Sequence, residues 1–223
     1  MAQPAGTGGL LAIWHDVVPE QAAALRAWYA DEHHFERLAI PGFERVRRLD
    51  KVEGVGGAVC CLYQVETPAV LASAAYRARL AAPTEATRAM MPHYRAMSRT
   101  VCRVAAREGR AEGGHLAVLA CGMGEAPQPA AVRGALQALP GVFGWTCIVA
   151  DAAPQPAAAP ATAEAALRGG ADTGIAWALL AESDSAGAAR TALAALRALH
   201  DGAEPAQPSV CGVYQLAFRA SAH

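Results

Sequence analysis

An order of strand and helix patterns that occurs twice along the chain constrains its fold more than any other feature. Each half of the 223 residues contains short β-branched runs and longer helical runs in the order strand, helix, strand, strand, helix, strand. The first helical run of each half is followed by a Pro-Gly turn, at Pro41-Gly42 and at Pro140-Gly141. Two half-chains of one topology are therefore the simplest interpretation.

This order predicts an α+β protein in which helices cover one face of antiparallel strands, the ferredoxin-like β-α-β-β-α-β unit. The chain is long enough for two domains of about 110 residues, and we place them at 1–110 and 111–223. The predicted strands are 10–17, 43–51, 58–66, 100–108, 115–122, 145–150, 174–182 and 210–218, and the predicted helices are 19–38, 67–80, 84–97, 129–139 and 185–199.

The two halves differ in one insertion and in one polar cluster. Residues 152–170 of the second half are rich in proline and alanine, where the first half has only a short turn. We expect a surface excursion there, with one helical turn around 162–168. Residues 30–43 read ADEHHFERLAIPGF, whereas residues 130–143 read AAVRGALQALPGVF. Any chemistry is therefore expected in the first half.

Composition excludes several classes of function. A formal net charge of −1 offers no bulk attraction to nucleic acid or to an anionic membrane, so we expect neither as a partner. The apolar run that begins at Leu10 breaks at His15, too early for a signal peptide or a membrane span. The 6 cysteines contain no C-x-x-C pair, so we expect reduced thiols that serve as small core residues of a cytoplasmic protein.

The polar cluster places four chemically useful side chains on one face of the first helix. At about 100° per residue, the positions i, i+4, i+7 and i+8 that share this face are Tyr29, His33, Glu36 and Arg37. His33 is the candidate acid or base, Glu36 would orient its imidazole, and Tyr29 would donate a hydrogen bond. Arg37 is a candidate ligand-binding residue. Ordinary helical ion pairs between the acids of the cluster and Arg37 are the alternative interpretation.

We predict neither a metal nor a cofactor. His33 and His34 are adjacent in a helix and point about 100° apart, so both cannot easily reach one ion. A metal site would need partners from elsewhere in the chain, such as His15 or His93. The sequence also has no Walker loop, no G-x-S-x-G elbow and no H-E-x-x-H motif.

Arginines follow the first Pro-Gly turn and suggest a site for an anion. Arg45 and Arg47 share one face of the predicted strand 43–51. On the concave side of the sheet they could bind a carboxylate or a phenolate, and exposure at a sheet edge is the alternative. We take Arg47 as the candidate anion anchor and add Trp14 and His93 as further candidate ligand-binding residues. The methionines around His93 indicate packing first and pocket lining second.

The first half resembles the dimeric α/β-barrel superfamily, and within it the EthD-like and related uncharacterised proteins. The resemblance rests on an aromatic pair, a histidine, a leucine, a Pro-Gly turn and two arginines, which are Trp28-Tyr29, His33, Leu38, Pro41-Gly42-Phe43 and Arg47-Arg48. It implies two antiparallel sheets packed face to face into an α/β barrel, with a ligand between sheet and helices or inside the barrel. Such barrels usually form across a homodimer, but two tandem repeats would let one chain close its own barrel.

The resemblance implies two classes of function. Its relatives include monooxygenases without a cofactor, muconolactone-type isomerases and haem-handling enzymes. The leading hypothesis is a monooxygenase-like or isomerase-like enzyme that needs no cofactor and acts on a hydrophobic or aromatic oxygenated small molecule near His33. The alternative is a non-catalytic ligand-binding or assembly protein, because strong catalytic signatures are missing and the second half is apolar. Haem binding is a third option.

Overall fold

Eight antiparallel strands within the described residues close into one barrel. The structure is a computed structural model, and it describes residues 8–109, 111–152, 162–201 and 207–222. The strands are β1 (Gly9–Val17), β2 (Phe43–Val55), β3 (Val59–Val65), β4 (Tyr94–Glu108), β5 (His115–Cys121), β6 (Val142–Ala150), β7 (Trp177–Ser183) and β8 (Val210–Ser221).

The order of the strands explains how the barrel closes. The first half of the chain forms the order β4-β1-β3-β2, and the second half forms β8-β5-β7-β6. The two sheets join where β2 pairs with β8 and where β4 pairs with β6. Every strand is therefore paired on both sides by strands of the same chain, which confirms the predicted α+β class and antiparallel barrel.

Helices cover the outer faces of both sheets. They are α1 (Ala22–Trp28), α2 (His34–Leu38), α3 (Ala74–Ala81), α4 (Glu85–Met90), α5 (Pro129–Leu136), α6 (Ala163–Arg168) and α7 (Ala186–Asp201), with 3-10 turns at Pro19–Gln21, Pro68–Ala72 and Met91–His93. Among these helices, none is long and apolar enough to cross a membrane.

Three of the predicted helices differ from those in the structure. The helix predicted at 67–80 is a 3-10 turn at Pro68–Ala72 followed by α3, and α3 is capped by Ser73, which accepts from the N–H of Tyr76. The helix predicted at 19–38 is interrupted by a π-helical turn at Tyr29–His33, where the N–H of His34 donates to the carbonyl of Tyr29.

The helix predicted at 84–97 was expected to kink or restart at Pro92; it is interrupted there, because Pro92 cannot supply a helical hydrogen bond, but it does not restart, since β4 begins at Tyr94. Tyr94 and Arg95, which the sequence pattern placed in the last helical turn, instead belong to β4 and pair with β1.

Three clusters of buried apolar side chains lie within the described residues. One occupies the barrel interior and includes Trp14, Leu49, Leu116, Ile148 and Tyr214, each at most 1% exposed. The other two lie between the outer face of each sheet and the helices that cover it. All six cysteines are buried thiols, which confirms their predicted role as small core residues. Because the barrel interior is packed with side chains, space for a ligand must lie elsewhere.

The seam between β2 and β8 gives a prediction about stability. Gly54 has φ +97°, and a Cβ there would lie 2.2 Å from the carbonyl oxygen of Cys211 on β8. Gly54→Ala should therefore lower the free energy of unfolding by about 1–3 kcal/mol from backbone strain alone. Gly134, in helix α5, has nothing within 4 Å of its Cβ position, so Gly134→Ala should raise stability by about 0.5–1 kcal/mol. Urea denaturation measures both, and effects of the same sign would contradict the prediction.

Candidate functional site

A cavity of about 510 Å³ lies between the outer face of the first sheet and the helices that cover it. Much of its wall is apolar and comes from β1, α3, β4 and the 3-10 turns. These apolar residues are Leu11, Ile13, Leu71, Leu80, Met91 and Met97. The polar part of the wall consists mainly of four tyrosines, one histidine, four arginines and two acids. They are Tyr29, Tyr63, Tyr76, Tyr94, His33, Arg37, Arg77, Arg99, Arg168, Glu164 and Asp172.

The π turn decides which side chains of the polar cluster face the cavity. Tyr29, His33 and Arg37 line it, as their spacing predicted. Glu36 does not, because the wider turn rotates it towards a shallow surface groove, where its Oε1 lies 3.1 Å from Nη1 of Arg79. Its Oε2 lies 3.8 Å from Nδ1 of His33, which is too far for a hydrogen bond. Glu36 therefore does not hydrogen-bond to the imidazole of His33, which its predicted role in orienting the ring would require.

His33 is a buried base in the cavity wall. Its ring is 6% exposed and lies 4.3 Å from the ring of Trp28, centroid to centroid. Burial lowers the pKa of His33 well below its usual value, and the charge of Arg37 lowers it further. The imidazole is therefore neutral at pH 7, and its unprotonated nitrogen can accept a hydrogen bond or a proton from a ligand, but the lowered pKa makes it a weaker base than an exposed histidine.

A chain of hydrogen bonds fixes the hydroxyl of Tyr29. Nδ1 of His15 lies 3.0 Å from the carbonyl oxygen of Asp16, which can only accept, so Nδ1 carries the proton. Nε2 of His15 then accepts from the Tyr29 hydroxyl at 2.9 Å, and Tyr94 donates to the same hydroxyl oxygen at 2.6 Å. The hydroxyl proton of Tyr29 is thus already donated to His15. Tyr29 can accept from a ligand but does not donate to one, in contrast to its predicted role.

The two adjacent histidines point to different partners, as the helical geometry predicted. His33 faces the cavity, whereas Nδ1 of His34 lies 2.8 Å from the hydroxyl of Tyr63. His34 is fully buried and its ring stacks 4.5 Å from that of Tyr29. Within the described residues, no group of three or more side chains is arranged to hold a metal ion.

A short helix from the second half covers the cavity of the first. Helix α6 follows β6, and Nη2 of Arg37 donates to both carboxylate oxygens of its Glu164 at 2.6 Å. Both side chains are at most 5% exposed. Thr162 caps the helix by accepting from the N–H of Ala165, as the predicted turn at 162–168 requires. The remainder of the predicted excursion, 153–161, lies outside the described residues.

Three predicted ligand-binding residues do not line the cavity. Trp14 and Arg47 lie on the inner faces of their strands, because side chains alternate along a strand and the cavity is on the outer face. Nη1 of Arg47 lies 2.9 Å from Oε1 of Glu182 on β7, so its charge is paired across the barrel. His93 is partly buried in a 3-10 turn, where its carbonyl accepts from Val18.

Several residues of the site could not be inferred from local pattern. Glu164 and Arg37 are 127 positions apart, and the only local signal for Glu164 was its place in the first turn of a predicted helical segment. His15 lies on a strand opposite the helix, so its bond to Tyr29 depends on how helix and sheet pack. Arg99 stood in a predicted loop before the last strand of the first half, where no pattern favoured a site.

Comparisons with known proteins place the fold but not the activity. No protein-family model and no curated protein sequence matches the chain. Its fold is similar to that of an anthrone oxidase-like protein, with 13% identity, coverage of 96% of this chain and 93% of that one, and a TM-score of 0.52. It is also similar to a Fusobacterium nucleatum protein provisionally named a monooxygenase, with 6% identity, coverage of 97% and 95%, and a TM-score of 0.51.

A third solved structure, of a protein provisionally named a chlorite dismutase, matches with 10% identity, coverage of 96% of each chain and a TM-score of 0.51. The similarity extends over nearly the whole length of all three proteins, so it concerns the complete barrel and not one half. At such low identity it shows the fold alone.

The buried Arg37–Glu164 pair gives a prediction about stability. Glu164→Gln should lower the free energy of unfolding by about 3–5 kcal/mol, because the Arg37 charge stays buried without a counter-charge. The double variant Arg37→Met/Glu164→Leu should cost less, since it buries no charge. The exposed pair Arg190–Glu53 supplies the control, and Arg190→Gln should change stability by less than about 1 kcal/mol. A double variant less stable than Glu164→Gln in urea would refute this account.

The buried histidines give a prediction about pH. Burial lowers the pKa of His15 from 6.5 to about 4, and burial with the charges of Arg48 and Arg37 lowers that of His34 to about 3. Below about pH 6.5 the unfolded chain therefore takes up protons that the folded chain does not. Stability should be full above that pH and should fall towards pH 4, by up to about 1.4 kcal/mol per pH unit for each histidine.

Denaturation at pH 7 and pH 5 measures this loss. His15→Gln keeps an acceptor for Tyr29 but removes the titrating group, so it should reduce the loss of stability between the two pH values. His93→Gln makes the same substitution outside the hydrogen-bonded chain. An equal reduction in both variants would show that His15 does not carry the effect.

Proposed function

We propose that the protein is a monooxygenase-like enzyme that needs no cofactor and oxidises a hydrophobic, aromatic, oxygenated compound in the cavity of the first half. The observation that carries the proposal is the neutral, buried imidazole of His33 in the wall of a largely apolar cavity of about 510 Å³. Such a wall suits a planar aromatic body, and an unprotonated base beside it suits proton abstraction. The names of the anthrone oxidase-like and monooxygenase-like neighbours support the same class.

The proposed reaction begins with a proton transfer to His33. An acidic C–H or O–H of the substrate gives its proton to the imidazole, and the electron pair stays on the substrate as a carbanion or phenolate. Dioxygen is the oxidant: a CH₂ group and O₂ become a carbonyl and water, so the substrate itself supplies the electrons. Return of the same proton to another carbon would give the isomerase-like variant of this chemistry.

We also propose that the chain is a tandem pair of ferredoxin-like repeats, 1–110 and 111–223, with EthD-like character in the first. The equivalent strand orders of the two halves and the Pro-Gly turn after the first helix of each support this interpretation. The helix layer of the second half packs through residues such as Val132 and Leu196. One site for a small-molecule ligand per chain follows.

A second candidate function is ligand binding without catalysis. Two observations favour it: the barrel interior is packed, and the carboxylate of Glu36 is beyond hydrogen-bond distance of His33. A base that no neighbouring group orients is a weaker catalyst. This candidate predicts the same ligand class and the same cavity, but no turnover.

Oxidation of anthrone tests the proposal. The wild-type protein should consume oxygen and form anthraquinone, and His33→Asn should slow this by about 100-fold or more, because it removes the proton acceptor. An oxygen electrode and the absorbance of the quinone measure the rate. His93→Asn, which alters a histidine outside the cavity, should leave the rate unchanged. An unaffected rate in His33→Asn would end the assignment of His33 as base.

Thermal unfolding with and without anthrone separates the two candidate functions. A ligand that binds the native state raises the melting temperature, and at a fixed concentration the rise is larger the tighter the ligand binds. Stabilisation with no oxygen consumption would favour the non-catalytic function, and stabilisation with consumption would favour the enzyme.

A further inference from the structure

Arg99 is a buried cation in the floor of the cavity. It lies on β4 opposite Ile13 of β1, and its side chain is on the outer face of the sheet with the cavity. It is only 8% exposed. Its Nη2 donates to the hydroxyl of Tyr76 at 2.5 Å, and its guanidinium carbon lies 6.0 Å from the centre of the Tyr76 ring. The side chain is therefore held in one position.

The charges of the cavity wall do not balance. Four arginines line the cavity with two acids. Glu164 is bonded to Arg37, and Asp172 lies 2.7 Å from Nη2 of Arg168, so both acids are already paired. The fourth arginine, Arg77, is exposed to solvent. Within the described ranges of the chain, no ion pair includes Arg99, which leaves it as the one buried arginine of this wall without a counter-charge there.

An unpaired buried cation is costly, and the cost falls when an anion enters. Burying an isolated charge is unfavourable unless it is paired and hydrogen-bonded. The face of the Tyr76 ring and its hydroxyl compensate only part of this cost. The donors of Arg99 that Tyr76 does not use form a planar fork, which matches the two oxygens of a carboxylate.

We propose that the ligand of this cavity carries a carboxylate that Arg99 binds, on an aromatic body held by the apolar wall. The inference rests on the proposed function and names its substrate class more closely. The sequence suggested an anion anchor at Arg47, but that side chain lies inside the barrel and is paired with Glu182. Arg99 takes the same chemical role on the outer face of the sheet.

Anchoring at Arg99 also orients the ligand. Arg99 comes from the sheet, whereas His33 comes from the π turn in the helix layer. A ligand held by its carboxylate at the sheet extends its aromatic body along the apolar wall towards the helices. Arg99 thus acts as a specificity-determining residue, and His33 remains the base.

Two matched probes test the anchor without any reaction. Anthracene-2-carboxylate and anthracene-2-carboxamide have the same planar body, but only the first is charged at pH 7. Calorimetric titration of the wild-type protein should show the carboxylate binding about 10- to 100-fold more tightly than the amide. In Arg99→Gln this preference should disappear, while the affinity for the amide stays within about threefold.

Two control variants test whether the preference for the carboxylate depends on Arg99 itself. Arg103 is exposed on the same strand, four positions along, and Arg103→Gln removes the same charge without touching the cavity. It should retain the preference for the carboxylate. Arg99→Lys keeps the charge but loses the fork, so it should retain part of the preference. The melting temperature of each variant shows whether the fold is intact.

The outcomes distinguish the anchor from the proposed function. Equal affinity of wild type for the two probes, or a preference that survives in Arg99→Gln, overturns the anchor and leaves an aromatic site in place. Binding of neither probe contradicts the aromatic ligand class and the anchor with it. Loss of the preference in Arg103→Gln as well would show a general charge effect and would also overturn the anchor.

Discussion

Closure of the sheet is the constraint on which the rest of the structure depends. Every strand of the barrel finds hydrogen-bonding partners on both sides, and the two seams, β2 with β8 and β4 with β6, join the first half of the chain to the second. The inner face is then fully enclosed and filled by large side chains such as Trp14 and Tyr214. Ligand space is consequently confined to the outer layer, between sheet and helices, where packing can be incomplete without exposing a strand edge.

The π turn has a similar importance for the site. One additional residue in the turn at Tyr29–His33 lets His33 and Arg37 face the cavity while His34 turns to Tyr63. Turns of this kind cost helical hydrogen-bond energy and are frequent at functional sites, which agrees with a candidate base at this position.

Much of the fold was predictable because the strands follow simple alternation and the Pro-Gly turns end helices at defined places. The order of all eight strands agrees with the structure, and β5 begins at the predicted His115, whereas β4 begins at Tyr94 instead of residue 100 and β2 ends at Val55 instead of residue 51. The site was less predictable. Helical spacing predicted one shared face for Tyr29, His33, Glu36 and Arg37, whereas the structure places Tyr29, His33 and Arg37 in the cavity wall and Glu36 outside it, since the π turn departs from about 100° per residue. Arg47 lies on the inner, concave face of the sheet, as the sequence suggested, but the cavity is on the outer face and the charge of Arg47 is paired with Glu182, which is far along the chain.

Helix α6 is not part of the barrel sheet, yet it contributes Glu164 and Arg168 to the wall of the cavity. The barrel does not depend on it for closure, because β6 and β7 pair directly with each other. The segment that shapes the charge of the cavity is therefore separate from the strands that close the barrel. Variation between β6 and β7 can change the ligand preference without opening the barrel, but it must keep a partner for the buried charge of Arg37, so Arg37 and Glu164 should change together in related barrels.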